Sequence, residues 1–71
     1  MIFFVVESQV NNGTAGLLTF SFDNRPDAEA KYHTLLAVAA KSNIQKHGVM
    51  LCNEDLFVLK EEVYNHFEET E

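Results

Sequence analysis

The sequence predicts an α+β fold of ββαββ order, in which one helix packs on one face of a four-stranded antiparallel sheet. Three observations predict it: a helical stretch from Pro26 to about Lys41, and a segment with the pattern of a β-hairpin on each side of it. A right-handed crossover through the helix favours the strand order 2-1-3-4. Residues 1–71 form a single domain in this interpretation, and 68–71 are a frayed acidic tail.

The first hairpin is predicted from residues 2–10 and 15–22, which flank the turn signal Asn11-Asn12-Gly13. Asn and Gly tolerate the positive φ angles that tight hairpins require. The first strand is apolar on both of its sides, so we expect it in the interior of the sheet. The second strand alternates apolar and polar residues in part, which is typical of a half-exposed edge strand.

The helix has a start signal and a single apolar stripe. Pro26 suits the first helical position, and the carboxylates of Asp27 and Glu29 oppose the positive end of the helix dipole. Ser42-Asn43 is the predicted end. The residues that recur at the helical period and form the stripe are Ala28, Tyr32, Leu35, Leu36 and Ala39.

The second hairpin is predicted from residues 44–52 and 56–60, joined by a turn at Asn53-Glu54-Asp55. Gly48 interrupts the third strand and indicates a bulge or a close approach of another chain segment. Residues 61–67 fit either a short helix or a continued strand, and we favour the strand.

One helix can cover only one face of this sheet, so the other face should be bare. We expect the stripe to pack on Ile2, Phe4, Val6, Leu18, Phe20 and Phe22. The bare face would then carry the interface residues Phe3, Val5, Leu17 and Met50. An apolar patch of this kind is unusual in a monomer and predicts a homodimer, unless the C-terminal segment folds back over it.

Composition excludes several classes of partner. The formal charge is −6 with only five Lys and Arg residues, which argues against binding to nucleic acid or to an anionic membrane.

The apolar start, Met1 to Val6, is too short for a membrane span and lacks the basic leader of a signal peptide. The single cysteine, Cys52, lies in an apolar run and fits a small core residue in a cytoplasmic protein.

No catalytic motif is present, and we expect neither an enzyme nor a cofactor. The only candidate metal ligands are His33, His47 and His66, none of which is paired at a ligand spacing on one element. Tyr64 and His66 would share one side of an extended segment. A small metal- or ligand-binding protein that uses these four residues is therefore the alternative function, and surface histidines are the plainer interpretation.

Three strings of the sequence support a resemblance. They are residues 31–42 (KYHTLLAVAAKS), 47–51 (HGVML) and 60–66 (KEEVYNH), and the opening 4–10 (FVVESQV) accompanies them. Together they resemble a group of short, functionally uncharacterised proteins associated with phage and prophage regions of Gram-positive gut bacteria. The resemblance implies a mobile-element setting and supplies no catalytic residues.

The leading functional hypothesis is a non-enzymatic protein-interaction module that homodimerises and binds another, unknown protein. The small core, the doubly apolar first strand and the lack of catalytic motifs favour it. An acidic decoy for a basic host protein is a third possibility, although the acids are spread along the chain without a dense stripe.

Overall fold

A computed structural model describes residues 1–66 and shows two hairpins joined by one helix. The elements are β1 (Phe3–Asn11), β2 (Thr14–Phe22), α1 (Arg25–Ala40), β3 (Lys46–Asn53) and β4 (Val58–Asn65). All pairings are antiparallel and the strand order is β2-β1-β3-β4. The predicted fold class and strand order are therefore confirmed, and the last strand continues as predicted through Asn65. Residue 67 of that predicted strand and the predicted tail at 68–71 lie outside the described residues.

A two-residue turn sets the register of the first hairpin. Asn12 and Gly13 have φ angles of 54° and 82°, and Asn11 pairs with Thr14 across them. Positive φ at both central residues is the geometry of a type I′ turn, whose twist matches that of the flanking strands. The predicted turn signal is confirmed.

The helix begins at Arg25, one residue before the expected Pro26, because Asn24 caps it. The Asn24 side chain accepts a hydrogen bond of 2.9 Å from the backbone N–H of Asp27. This satisfies one of the donors that a helix start leaves without a partner. Within the described part of the chain, no helix is long and apolar enough to cross a membrane.

The helix stripe is buried as predicted, but it packs on a different set of β1 residues. Ala28, Tyr32, Leu35 and Ala39 are buried, and Leu36 packs at the margin of the core. The core partners from the sheet are Val5, Val49 and Leu51, with Phe3, Phe20, Phe22 and Leu59 around them. The expectation that Phe4 and Val6 face the helix is therefore wrong.

The hairpin register explains this correction. Val5 pairs with Phe20, and Phe3 pairs with Phe22, so these residues share the helix-covered face. Phe3 and Val5 therefore do not belong to the bare face to which the sequence analysis assigned them. Leu17 and Met50 do lie on that face, as predicted.

The second hairpin contains both a close approach and a bulge. A Cβ at Gly48 would lie 2.9 Å from Val63 Cγ2 and 3.0 Å from Ser8 Oγ, which confirms the close approach. The bulge lies three residues beyond Gly48, where Leu51 pairs with Lys60 and the next residue, Cys52, pairs with Val58. β4 also starts two residues later than expected, because the preceding loop extends through Phe57.

Candidate binding surface

The sheet face turned away from the helix, here called the open face, is the first candidate site. The pairing places on it Phe4, Val6, Ser8, Val10, Ala15, Leu17, Thr19, Ser21, Lys46, Gly48, Met50, Cys52, Val58, Glu61, Val63 and Asn65. Only Lys46 and Glu61 among these residues are charged. The face is therefore predominantly apolar and has no net formal charge.

Large apolar side chains of the open face are accessible to solvent. Leu17 is 70% exposed and Val63 is 56% exposed. Between them, a shallow depression of about 290 Å³ is lined mainly by Val6, Leu17, Met50 and Val63, with Gly48 contributing to its lining. The missing side chain at Gly48 lets Ser8 and Val63 approach its backbone. This combination of exposure and apolar lining is typical of a surface that binds another molecule.

The loop between β3 and β4 displays two more apolar side chains. Leu56 and Phe57 are both largely exposed, and Leu56 has a φ of 65°. Positive φ is costly for a bulky residue. Asn53 holds this conformation, since its side chain accepts hydrogen bonds of 2.9 and 3.0 Å from the backbone N–H groups of Asp55 and Phe57. The loop is thus fixed in a shape that exposes both side chains.

A buried polar cluster lies on the other face, beneath the end of the helix. His47 Nε2 lies 2.6 Å from Glu7 Oε2, and His47 Nδ1 lies 2.9 Å from Ser42 Oγ. His47 is 1% exposed and Glu7 is 6% exposed. The side-chain amide of Gln9 donates a further hydrogen bond of 3.2 Å to Glu7 Oε2. The cluster therefore supplies buried polar atoms with partners, as burial in a small core requires.

This Ser–His–Glu chain has the residue types of a hydrolytic relay, but its surroundings favour a structural role. Ser42 Oγ donates to the carbonyl oxygen of Ala39 at 3.3 Å, at the C-terminal end of the helix. Helix C-termini carry negative partial charge, which would repel the oxyanion that such a nucleophile must generate. We interpret the cluster as a connection between β1, β3 and the end of α1.

The other two histidines occupy separate environments. His33 is exposed on the helix and contacts the edge of the Tyr32 ring, with 5.4 Å between ring centroids. His66 Nε2 donates to the carbonyl oxygen of Ala39 at 3.1 Å, and its ring stacks with that of Tyr64. In residues 1–66, no three His, Cys, Asp or Glu side chains are grouped so that they could hold a metal ion.

The structure corrects the sequence-based interpretation of His47 and agrees with that of Cys52. His47 is not the surface residue that the plainer interpretation assumed, because β3 places it between Glu7 and Ser42. Sequence reasoning missed this cluster, and the available signal was a charged residue, Glu7, within the strand β1 that is apolar on both of its sides. Cys52 is buried, as predicted for a core residue, and burial raises the pKa of its thiol.

Comparison of the chain with protein-family models, with curated proteins and with solved structures gives no match. The resemblance to phage-associated proteins therefore stays a prediction. The fold and the surface define a small α+β domain with one helix-covered and one open sheet face.

Proposed function

We propose that this protein is a non-enzymatic, cytoplasmic protein-interaction module that homodimerises by packing the open faces of two copies against each other. The observation that carries the proposal is an apolar sheet face without a covering layer in the described chain. Sheets of globular domains bury such faces against a second layer. The interface residues Leu17 and Met50 are retained from the sequence analysis, whereas Phe3 and Val5 are replaced by Val6 and Val63.

The charge distribution supports a second copy as the occupant. Two chains of formal charge −6 repel each other over most of their surfaces. The open face avoids this repulsion because it carries one lysine, Lys46, and one glutamate, Glu61. A two-fold interface is self-complementary, and a face with one charge of each sign can satisfy that condition.

The dimensions of the face suit a reversible dimer. Four strands about 4.8 Å apart and about eight residues long cover about 500 Å² in plan. Two such faces would bury about 1,000 Å², which is the lower end of specific interfaces. The dimer would leave the exposed Leu56 and Phe57 loop available to another protein. The phage setting implied by the resemblance would be compatible with such a role.

We expect Val63→Lys to weaken the association of the open faces, because it places a lysine within the apolar interface. Val38→Lys is the matched control, since Val38 lies on the helix and is 55% exposed, against 56% for Val63. Sedimentation velocity over a dilution series should show a dissociation constant raised at least about tenfold by Val63→Lys and unchanged by Val38→Lys. Equal masses for the two variants at every concentration would overturn the proposal.

A further inference from the structure

The two edges of the sheet differ in how well they are protected against pairing with another strand. β4, at one edge, carries Lys60, Glu61 and Glu62. β2, at the other edge, runs for nine residues without a charge or a proline, and its register with β1 is regular. Charged residues, prolines and bulges are the usual means of blocking an edge. β2 therefore presents an unblocked edge of full strand length.

The turn geometry shows which backbone groups of β2 point away from the sheet. In a two-residue turn, the flanking residues Asn11 and Thr14 form a hydrogen-bonded pair. Bonded and non-bonded pairs then alternate along an antiparallel ladder. The residues of β2 whose N–H and C=O groups point outward are accordingly Ala15, Leu17, Thr19 and Ser21.

We propose that β2 pairs with β2 of a second copy, antiparallel and centred on Leu18. In this register Leu18 lies opposite Leu18, Leu17 opposite Thr19, and Ala15 opposite Ser21. Every outward-pointing residue then meets another outward-pointing residue, which gives about eight intermolecular hydrogen bonds. The two sheets merge into one sheet of eight strands, four from each copy, with both helices on the same side.

Self-complementarity favours a second copy over an unrelated strand. β2 is the only strand in the described chain that carries no charged residue, so it is where two acidic chains can approach most closely. Leu18 is more than half exposed and would bury its side chain against its own symmetry mate. The pairing is two-fold and closes, and the charged β4 edges keep it from continuing into a fibre.

This interface is distinct from the open-face interface. The pairing of β2 with β2 does not depend on the proposed function, whereas a tetramer that uses both interfaces rests on it. The two-fold axis of the β2 pair is perpendicular to the sheet, whereas the axis of stacked open faces lies between the sheets. Two perpendicular two-fold axes generate a closed tetramer when they intersect, which requires the axis of the stacked faces to run across the strands at the level of Leu18. The side chain of Leu18 lies on the helix-covered face, because Leu18 pairs with Glu7, so a substitution there leaves the open face unchanged.

The test uses Leu18→Lys and Leu18→Glu in the Val63→Lys background, which isolates the β2 interface. We expect the Val63→Lys protein to sediment as a dimer, and each protein with the added Leu18 substitution as a monomer, because like charges would face each other. An equimolar mixture of the lysine and glutamate variants should recover the dimer, since opposite charges then meet. A misfolded variant could not produce this rescue.

The outcomes separate the two interfaces. The wild type should sediment as a tetramer, and Leu18→Lys alone should give a dimer held by the open faces. A Val63→Lys protein that is monomeric at every concentration would overturn the β2 pairing and leave the open-face dimer in place. The wild type could instead be a dimer that Leu18→Lys converts to a monomer and that Val63→Lys leaves unchanged. That result would overturn the open-face dimer and support the β2 pairing. A mixture that stays monomeric would overturn the register centred on Leu18.

Discussion

Val5→Asp is expected to abolish the folded state. Val5 is 0% exposed in the interior strand β1, paired with Phe20 on one side and Leu51 on the other. An unpaired carboxylate at this position lowers the free energy of unfolding by several kcal/mol. For a domain of this size, the free energy of unfolding is only about 5–10 kcal/mol. Far-UV circular dichroism and urea titration should show an unfolded protein at neutral pH.

Val63→Asp is the matched control for this experiment, because it places the same charge on the open face. We expect it to remain folded and to change only the sedimenting mass. A Val5→Asp protein with the wild-type spectrum and a lower mass would contradict the structure, since it would mean that Val5 lies on the interface.

The second large effect is expected at the buried pair of Glu7 and His47. Removing either side chain leaves the other without its 2.6 Å partner inside the core. We expect Glu7→Ala and His47→Ala each to lower the free energy of unfolding by about 3–5 kcal/mol in urea denaturation. Glu7→Gln should lower the free energy of unfolding by less than Glu7→Ala does, because the amide oxygen can still accept a hydrogen bond from the imidazole.

Two controls make this prediction specific. His33→Ala removes an exposed histidine and should change the free energy of unfolding by less than about 0.5 kcal/mol. The double substitution Glu7→Leu with His47→Leu should lower the free energy of unfolding by less than the sum of the two single leucine substitutions, since neither polar group is left buried without its partner. Additive losses would show that the two residues are not coupled.

The sequence was sufficient to predict the order of elements because each signal was local. Asn12-Gly13 defined the hairpin turn, Pro26 and its neighbouring acids marked the helix start, and the stripe through Tyr32 and Leu35 followed the helical period. The helix start differed by one residue because the capping by Asn24 depends on side-chain geometry.

The assignment of β1 residues to the two faces was wrong although the information was in the turn. With Asn12 and Gly13 as the loop, each odd-numbered residue of β1 pairs with an even-numbered residue of β2. Val5 therefore had to share a face with Phe20. Both sides of β1 are apolar, so the alternation within β1 alone could not distinguish the faces.

The polar cluster could not be predicted from the sequence because its members come from three elements. Glu7 and His47 are 40 residues apart and meet diagonally across β1 and β3. Ser42 reaches His47 only because the helix ends above that point of the sheet. Local patterns describe each residue but not this convergence.

The existence of the open face was predictable, since one narrow helix stripe can cover only one side of four strands. Its composition and its depression at Gly48 depended on the register of β3 with its neighbours. The unblocked β2 edge also required the strand order, which identifies the strands that have no second neighbour.

The most direct test of the open-face interface is an isotope-filtered NOE experiment on an equimolar mixture of labelled and unlabelled protein, which detects only contacts between copies. We predict intermolecular NOEs from the methyl groups of Met50 and Val63 to other open-face side chains, since β3 and β4 lie away from the β2 edge. Intermolecular NOEs confined to Val38 and the helix, with none from the open face, would contradict the account.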